Sequence, residues 1–305
     1  MADLAFWSAV LASAVRLTVP TLLAATGELV AQRAGVLNLG LEGMMISGAF
    51  SSFAVVVATG NWVLGLLAGV GGGLLIGAVM VVVSVRGGGN QIVTGLALTL
   101  FGLGAAAFLN DQLRDALHTV ETLPTIGIPL LKDIPLVGRA LFEQNVLAYL
   151  AVLLVLVVAG VLRWTRFGLE ATAIGHAPGS AAAKGVVVRR IRSVATLIAA
   201  GAAGLGGAAI SIGAVGNFGP NMTAGRGFVA IAVVLLGRWK PAWTILGAFV
   251  FGFTDALQLR LQNLLDVPVQ ILAALPWVAV LLFLAVGSRL SHMPAALGRD
   301  LPEIG

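Results

Sequence analysis

The chain has 305 residues, of which 59% are hydrophobic and 10% are charged, and its formal net charge is +5. Soluble domains carry about 25% charged residues, so this composition excludes a soluble protein and predicts an all-α integral membrane protein, a polytopic helix bundle. A positive charge would also suit a nucleic-acid partner, but in a membrane chain an excess of Lys and Arg is typical of cytoplasmic loops, and we expect no nucleic acid.

Nine apolar segments, within a range of eight to ten, are expected to lie in the bilayer as one transmembrane domain spanning residues 1–305. They are residues 6–27, 38–60, 62–85, 90–109, 145–163, 193–215, 226–237, 242–260 and 269–289. A helix needs about 20 apolar residues to cross the hydrocarbon core. The seventh segment is too short to cross alone, so we expect it to continue into, or pair with, a broken half-helix around 216–225.

The second segment begins with an unusual run, GVLNLGLEGMM (35–45), which places Asn38 and Glu42 among glycine and large apolar side chains. Residues at i and i+4 share one face of a helix. We expect Asn38, Glu42 and the nearby Arg33 to have structural roles near the cytoplasmic end of this segment. Glu42 would stabilise a helix N-terminus there.

Two longer polar connections, 110–144 and 164–192, fix the predicted orientation. Six basic residues flank or fill the second connection: Arg163, Arg166, Lys184, Arg189, Arg190 and Arg192. Basic loops stay in the cytoplasm, so 164–192 is predicted to be cytoplasmic and 110–144 external. Counting segments outward from 164–192 places the N-terminus outside and the C-terminus in the cytoplasm.

An internal repeat is also predicted, with halves at roughly 6–109 and 193–290. Four segments precede the central one at 145–163 and four follow it, and the two sets run through the membrane in opposite directions. The runs LNLGLEGMMISGAF and GRGFVAIAVVLLG occupy comparable places in the two halves. Inverted repeats of this kind are common in transporters.

Nothing in the sequence indicates catalysis or a bound cofactor. The phosphate-binding pattern GxxxxGK[ST] does not occur, so the chain is not expected to bind ATP itself. His118, His176 and His292 lie far apart without ligand spacing, so no metal site is expected. No nucleophile and base can be paired, so no catalytic residue is predicted.

The connection 164–192 is predicted to contain two short helices, Phe167–Ile174 and Pro178–Lys184, separated by 175–178. Proline suits the first turn of a helix because its missing N–H needs no partner there. From the residues alone two interpretations remain open. One is a positively charged loop that only sets topology, and the other is a docking element for a cytosolic partner.

Four stretches carry a family resemblance: GELVAQRAGVLNLGLEGMMISGAF (27–50), RFGLEATAIGHAPGSAAAKGV (166–186), MTAGRGFVAIAVVLLGRWKP (222–241) and FGFTDALQLRLQ (251–262). From about residue 5 to 300 the chain resembles permease subunits of bacterial ATP-binding-cassette (ABC) importers of the branched-chain amino acid and simple-sugar group. Within that group it is most similar to the second permease of nucleoside (guanosine-type) importers.

The resemblance implies that 166–186 supplies coupling helices, which sit in a cleft of the partner ATPase. The implied coupling residues are Gly168, Gly175, His176, Pro178, Ala181, Lys184 and Gly185. One departure from the family pattern is Ala177, where relatives often have Asn before the proline, which puts the local turn chemistry in question.

The resemblance also implies the partners and the location. The partners would be a cytosolic ABC ATPase with two nucleotide-binding domains, fused or separate, a second similar permease and an external substrate-binding lipoprotein. ATP and Mg²⁺ would be used by the ATPase, and this chain would bind no cofactor. The location would be the bacterial plasma membrane.

Polar residues within the membrane segments are candidates for the substrate pathway, since buried polar groups in lipid usually face a cavity or a partner. The polar candidates are Asn217, Asn221, Arg226, Gln91, Asp255 and Gln258, and Phe218 and Phe228 are added because an aromatic ring can stack on a nucleoside base. Each has a purely structural alternative, such as a helix cap or an interhelical hydrogen bond. Asn217, Asn221 and Arg226 rank first because they lie near the predicted helix break.

The sequence thus favours a non-enzymatic permease that passes nucleosides through the membrane by alternating access driven by partner ATPases. A permease for ribose-like sugars is the second interpretation. An ion-coupled secondary transporter, with Glu42 or Asp255 carrying the proton, would leave 164–192 without a role. An intramembrane enzyme would need a nucleophile and a base that the sequence does not offer.

Overall fold

In the computed structural model, residues 2–114, 116, 118–129, 131, 134, 138–262, 268–287 and 293–299 are described, and nearly all regular structure is helical. The helices are α1 (Ala2–Arg33), α2 (Leu41–Thr59), α3 (Trp62–Met80), α4 (Gln91–Gln112), α5 (Gly138–Phe142), α6 (Val146–Trp164), α7 (Arg166–His176), α8 (Pro178–Ala183), α9 (Val188–Ile210), α10 (Arg226–Leu236), α11 (Pro241–Leu261), α12 (Val269–Ala273) and α13 (Leu275–Gly287). π-Helical turns extend α3 over Val81–Arg86 and α9 over Ser211–Val215.

The nine predicted segments correspond to helices of the structure. In the described part of the chain, seven helical spans are long and apolar enough to cross a membrane: Phe6–Arg33, Leu41–Thr59, Trp62–Arg86, Gln91–Gln112, Val146–Trp164, Val188–Val215 and Pro241–Leu261. Two apolar helices are shorter, Arg226–Leu236 and Gln270–Leu282. The all-α, multi-pass prediction is therefore confirmed, and the seventh segment is short, as expected.

Three details differ from the sequence prediction. The first helix continues to Arg33 instead of ending at residue 27, and the second begins at Leu41 instead of residue 38. The predicted external connection contains one small antiparallel pair of strands, β1 (Thr125–Gly127) and β2 (Glu143–Asn145). The predicted end of the ninth segment, 288–289, lies outside the described residues, as does His292.

Asparagine side chains cap the N-termini of three of the membrane helices. The side-chain oxygens of Asn61, Asn90 and Asn145 accept hydrogen bonds from the first free backbone N–H groups of α3, α4 and α6. These N–H groups have no partner within the helix, so an Asn cap stabilises each N-terminus. At the other end of α2, Gly60 adopts a left-handed conformation with φ +66°, which stops the helix.

Helix α9 lies at the centre of the bundle, where small residues let neighbouring backbones approach closely. Gly65, Gly69, Gly73 and Gly77 share one buried face of α3, and this face packs against α9 and α2. A Cβ atom on Gly207 of α9 would collide with the backbone of α2 at Met45. Helices in lipid associate through such close contacts because burying apolar surface there yields little.

The packing also fixes the depth at which α2 begins. A Cβ atom on Gly206 of α9 would lie 2.7 Å from the carbonyl oxygen of Pro20, which is near the middle of the 28-residue span of α1. The adjacent Gly207 contacts Met45, so the first turn of α2 lies near the middle of the bundle. Residues 34–40 therefore return from the end of α1 into the interior before α2 starts.

Two ends of the bundle can be distinguished. The basic end comprises the end of α1, helices α7 and α8 and the start of α9, where the Arg192 Nε atom donates to the carbonyl oxygen of Ala34 at 3.1 Å. The opposite end contains the β1–β2 pair and the end of α9. There the backbone N–H groups of Val120 and Leu123 donate to the carbonyls of Gly216 and Ile212 at 2.8 and 3.0 Å.

The predicted half-helix around 216–225 is wrong. These residues form an irregular loop in which Gly216, Asn221, Ala224 and Gly225 all have positive φ. Left-handed conformations interrupt a right-handed helix, and two of these residues carry a Cβ atom, for which such a conformation is uncommon. We call residues 216–225 the interior loop, and it leads directly into α10.

Candidate functional site

The interior loop delivers the N-terminus of α10 to the start of α2, where Glu42 receives it. Glu42 is 2% exposed. Its Oε1 atom accepts from the hydroxyl of Thr223 and from the backbone N–H of Gly225 at 2.9 Å, and its Oε2 atom accepts from the N–H of Gly227 at 2.6 Å. The carboxylate thus satisfies N–H groups that α10 leaves free and lies at the positive end of that helix.

Gly227 makes this approach possible. A Cβ atom at this position would lie 2.6 Å from the Cα and N atoms of Glu42. Only glycine lets the first turn of α10 come so close to the first turn of α2. Two helix starts therefore meet in the interior, and one carboxylate joins them.

Arg226 and Asp255 form an ion pair beside this junction. The Arg226 Nη2 atom donates to the Asp255 Oδ2 atom at 2.8 Å, and the two side chains are 17% and 14% exposed. The Nε atom of Arg226 is buried and has no hydrogen-bond partner. A cation in the first turn of a helix opposes the helix dipole, and Asp255 of α11 offsets that cost.

A cavity of about 360 Å³ opens between the interior loop, the middle of α1 and the end of α9. Its lining residues are Arg16, Leu17, Pro20, Ile210, Ala214, Val215, Asn217, Phe218, Gly219, Met222 and Arg226. The volume falls in the range of about 300–1,000 Å³ that is typical of small-molecule sites. An aromatic ring, an amide and two guanidinium groups therefore surround one space in the bundle.

The structure brings together three of the predicted pathway residues, Asn217, Phe218 and Arg226, in the lining of this cavity. Phe218 is held against α2 by an edge-to-face contact with Phe50, with the ring centroids 5.2 Å apart. Asp255 reaches the cavity only through Arg226.

The other predicted pathway residues lie outside the cavity lining. Asn221 and Phe228 are exposed, and Gln258 is half-buried on α11. Gln91 hydrogen-bonds at the basic end, where its Oε1 atom accepts from the N–H of Leu37 at 2.9 Å and its Nε2 atom donates to the carbonyl of Arg299 at 3.0 Å. That geometry fastens the 34–40 turn to a segment near the C-terminus.

Sequence reasoning missed the contribution of α1 to the cavity. Arg16 is a charged residue within the first apolar segment, and that was the available signal. Pro20 adds to it, because a proline has no N–H and leaves the carbonyl of Arg16 without its helical donor. A charged side chain and a backbone carbonyl without its usual helical donor thus belong to the same turn of α1.

Asn38 and Arg33 lie in hydrogen-bond networks below the junction, toward the basic end. The Asn38 Oδ1 atom accepts from the N–H of Gly40 at 3.1 Å, so this residue shapes the turn before α2 and is not part of that helix. Arg33 donates from Nε and Nη2 to the carbonyl of Trp239 at 2.9 and 2.6 Å. These contacts tie α1 to the turn between α10 and α11.

The connection 164–192 contains two short helices, α7 and α8, with Pro178 in the first turn of α8. The residues named for coupling divide into two groups. Gly168, Gly175 and Ala181 are buried, and a Cβ atom on Gly175 would collide with the carbonyl of Arg33. His176, Lys184 and Gly185 are exposed, and Pro178 is half-buried. The buried group fixes the two helices on the bundle and leaves the other group at the surface.

The chain is similar in sequence to a known family of permeases and to individual members of it. The family described as branched-chain amino acid transport system / permease component matches residues 10–287. A putative glucose ABC transporter permease of Haloferax volcanii is 38% identical over 86% of this chain and 80% of its own length. A nucleoside ABC transporter permease of Lactococcus lactis and a guanosine ABC transporter permease of Bacillus subtilis are each 29% identical over 92% of both chains.

Proposed function

Because the chain belongs to the branched-chain amino acid transport system / permease component family, we propose that it forms half of the translocation pathway of an ABC importer for nucleosides. Members of this family are the non-catalytic translocation subunits of ABC systems and bind no cofactor themselves. ATP and Mg²⁺ are used by a partner ATPase with two nucleotide-binding domains. A second, similar permease supplies the other half, and an external lipoprotein delivers the substrate.

The observation that carries the proposal is that α7 and α8 pack against the bundle on one side and are exposed on the other. At Gly168 and Gly175 the backbone of α7 lies directly against α6 and the end of α1, so one side of this helix is packed closely on the bundle. The outer surface, which includes His176, Lys184 and Gly185, stays exposed. A short helix pair fixed on one side and free on the other suits a part that receives force from a soluble ATPase.

The basic end faces the cytoplasm in this proposal. Arg163, Arg166, Lys184, Arg189 and Arg190 are all exposed there, which agrees with the tendency of basic residues to remain on the cytoplasmic side. The N-terminus is then outside the bacterial plasma membrane, and the β1–β2 end meets the external lipoprotein.

Packing supports an inverted repeat that fills one permease domain. Helix α1 of the first half packs against α10 and α11 of the second half, and α9 of the second half packs against α2 and α3 of the first. Helices α2 and α10 each follow a break in the interior, and their first turns meet at Glu42 and Gly227. Paired breaks of this kind mark the substrate region of transporters that work by alternating access.

The cavity is the proposed portion of the substrate pathway. Arg16, Asn217 and Arg226 offer donors for ribose hydroxyls and a base edge, and Phe218 offers an aromatic surface. The nucleoside and guanosine permeases, which match 92% of this chain, favour a nucleoside. A simple sugar is the second candidate, and the glucose permease relative at 38% identity favours it.

The test is uptake by the complete complex, reconstituted in liposomes with ATP inside. We expect uptake of labelled guanosine that depends on ATP and is competed by adenosine, with little competition from glucose or ribose. Stronger competition by a sugar would transfer the proposal to the second candidate. Uptake driven by a proton gradient without ATP would overturn the importer assignment.

A pair of charge-reversed variants tests the α7–α8 contact. Lys184→Glu should assemble normally and lose most ATP-driven uptake, because it places a carboxylate on the surface proposed to meet the ATPase. Lys240→Glu makes the same charge change at an exposed position at the start of α11 and serves as the control. Equal uptake by the two variants would contradict the coupling role.

A further inference from the structure

A second and larger cavity lies at the basic end, away from the candidate substrate cavity. It is a groove of about 750 Å³ between α6, α7 and the start of α11. Its lining residues are Arg33, Val155, Leu156, Ala159, Leu162, Arg163, Gly168, Leu169, Thr172, Pro241, Ala242 and Ile245. None of these residues lines the cavity at the interior loop. We call this space the basal groove.

The basal groove is apolar along its length and basic at one end. From Val155 to Arg163 it follows nine residues of α6, which rise by about 12 Å along the helix. Arg33 and Arg163 lie at the basic end, and the residues deeper along α6 are Val155, Leu156 and Ala159. A ligand that fits must therefore be amphipathic, with a long apolar part and an anionic head.

The groove faces the outside of the bundle. Leu156 is 64% exposed and Leu169 is 73% exposed, so its walls open to whatever surrounds the protein. Trp164 and Trp243, beside the groove on α6 and α11, are 80% and 45% exposed. Exposed tryptophans near the ends of membrane helices are typical of the lipid headgroup region. The exposed apolar wall that α6 gives the groove therefore suits a lipid environment.

Both arginines are available to a ligand. Arg33 uses Nε and Nη2 for the carbonyl of Trp239, which holds the guanidinium in place and leaves Nη1 for another acceptor. Arg163 is exposed, and no carboxylate pairs with it in the described part of the chain, where the one ion pair joins Arg226 and Asp255. Basic pockets between membrane helices bind anionic headgroups.

We propose that the basal groove binds one anionic phospholipid, with its phosphate at Arg33 and Arg163 and an acyl chain along α6. The lipid lies against Gly168, Leu169 and Thr172 of α7. Since α7 contacts the end of α1 through Gly175, the lipid packs where α7 joins the bundle.

Native mass spectrometry of the full chain tests the site. The chain is released from micelles containing equal amounts of dioleoyl phosphatidylglycerol and dioleoyl phosphatidylcholine, and the retained lipid is counted. We expect one phosphatidylglycerol to be retained preferentially. Arg163→Gln should reduce that preference about fivefold, the effect of one basic residue on an anionic lipid.

Two matched controls separate the groove from general surface charge and from general packing. Arg190→Gln removes an exposed charge at the same end on α9 and should leave the preference unchanged. Ala159→Phe fills the groove and should abolish retention, whereas Ala107→Phe on α4 should not. Equal losses in Arg163→Gln and Arg190→Gln, or retention by Ala159→Phe, would overturn the proposal. So would displacement of the lipid by soluble glycerol phosphate, because the acyl chain would then contribute nothing.

Discussion

Glu28 and Glu42 are two buried carboxyl groups on consecutive helices, and their surroundings differ. Glu42 accepts three hydrogen bonds, two of them from backbone N–H groups at the start of α10. Glu28 is 0% exposed and uses only Oε1, which accepts from the Gln32 amide at 3.0 Å and from the N–H of Asn38 at 3.4 Å. Its Oε2 atom has no partner. Glu42 therefore joins two helix starts through both of its carboxyl oxygens, whereas Glu28 acts mainly as a single acceptor within a local turn.

The different numbers of hydrogen-bond donors around the two carboxyl groups show which side-chain properties each position requires. At Glu42 both oxygens face donors, so the site needs two acceptors and a negative charge. At Glu28 one oxygen suffices, and the network continues through Gln32, whose Oε1 atom accepts from the Trp239 indole N–H at 2.9 Å. The junction thus depends on charge, and the basic-end network depends on geometry.

The largest expected effect is that of Glu42→Gln. The amide places an N–H group against one of three donors and removes the charge at the N-terminus of α10. We expect a loss of about 3 kcal/mol in the free energy of unfolding, since one donor is stranded and charge-assisted bonds are weakened. Unfolding in mixed micelles, followed by tryptophan fluorescence, measures it. A variant that folds normally and loses only substrate affinity would show instead that Glu42 contacts the substrate.

The sequence predicted one of the two partners at this junction, Glu42, but not the other. Sequence reasoning identified the run at 35–45 as unusual and associated Glu42 with a helix N-terminus. It could not identify α10 as that helix, because residues 42 and 227 meet only through tertiary packing. Asn38 was expected to share a helix face with Glu42, but α2 starts at Leu41 and Asn38 lies in the turn before it.

The interior loop shows why the rest of the site was harder to predict. Gly216 and Gly225 can be recognised in the sequence as residues that interrupt a helix. Asn221 and Ala224 cannot, because they adopt positive φ only where the surrounding packing requires it. Arg16 was visible in the sequence, yet its neighbours in the cavity come from 210–226. Hydrophobic runs determine which segments lie in the membrane, whereas the cavity depends on how the interior loop packs against α1 and the end of α9.

An intermediate effect is expected for Gly227→Ala, which tests the closeness of the two helix starts. The added Cβ atom would lie 2.8 Å from the Oε2 atom of Glu42 and nearer still to its backbone. Overpacking of this kind costs about 1–3 kcal/mol, and the same unfolding measurement detects it. Gly219→Ala is the matched control, because a Cβ atom there meets no atom within 4 Å. Equal stability of the two variants would mean that the helix starts can separate freely.

The smallest effect is expected for Glu28→Gln, the same chemical change as at Glu42. The side-chain oxygen of the new glutamine can still accept from Gln32 and Asn38, and its amide nitrogen replaces the oxygen that has no partner. The free energy of unfolding should change by less than about 1 kcal/mol, because no donor that is bonded now loses its acceptor and the new amide N–H groups replace an oxygen that also has no partner. Comparing Glu28→Gln with Glu42→Gln in the same micelles keeps the substitution constant and varies only the surroundings. If Glu28→Gln is as destabilising as Glu42→Gln, then the negative charge matters at both sites. The basic-end network would then depend on charge, as the junction does.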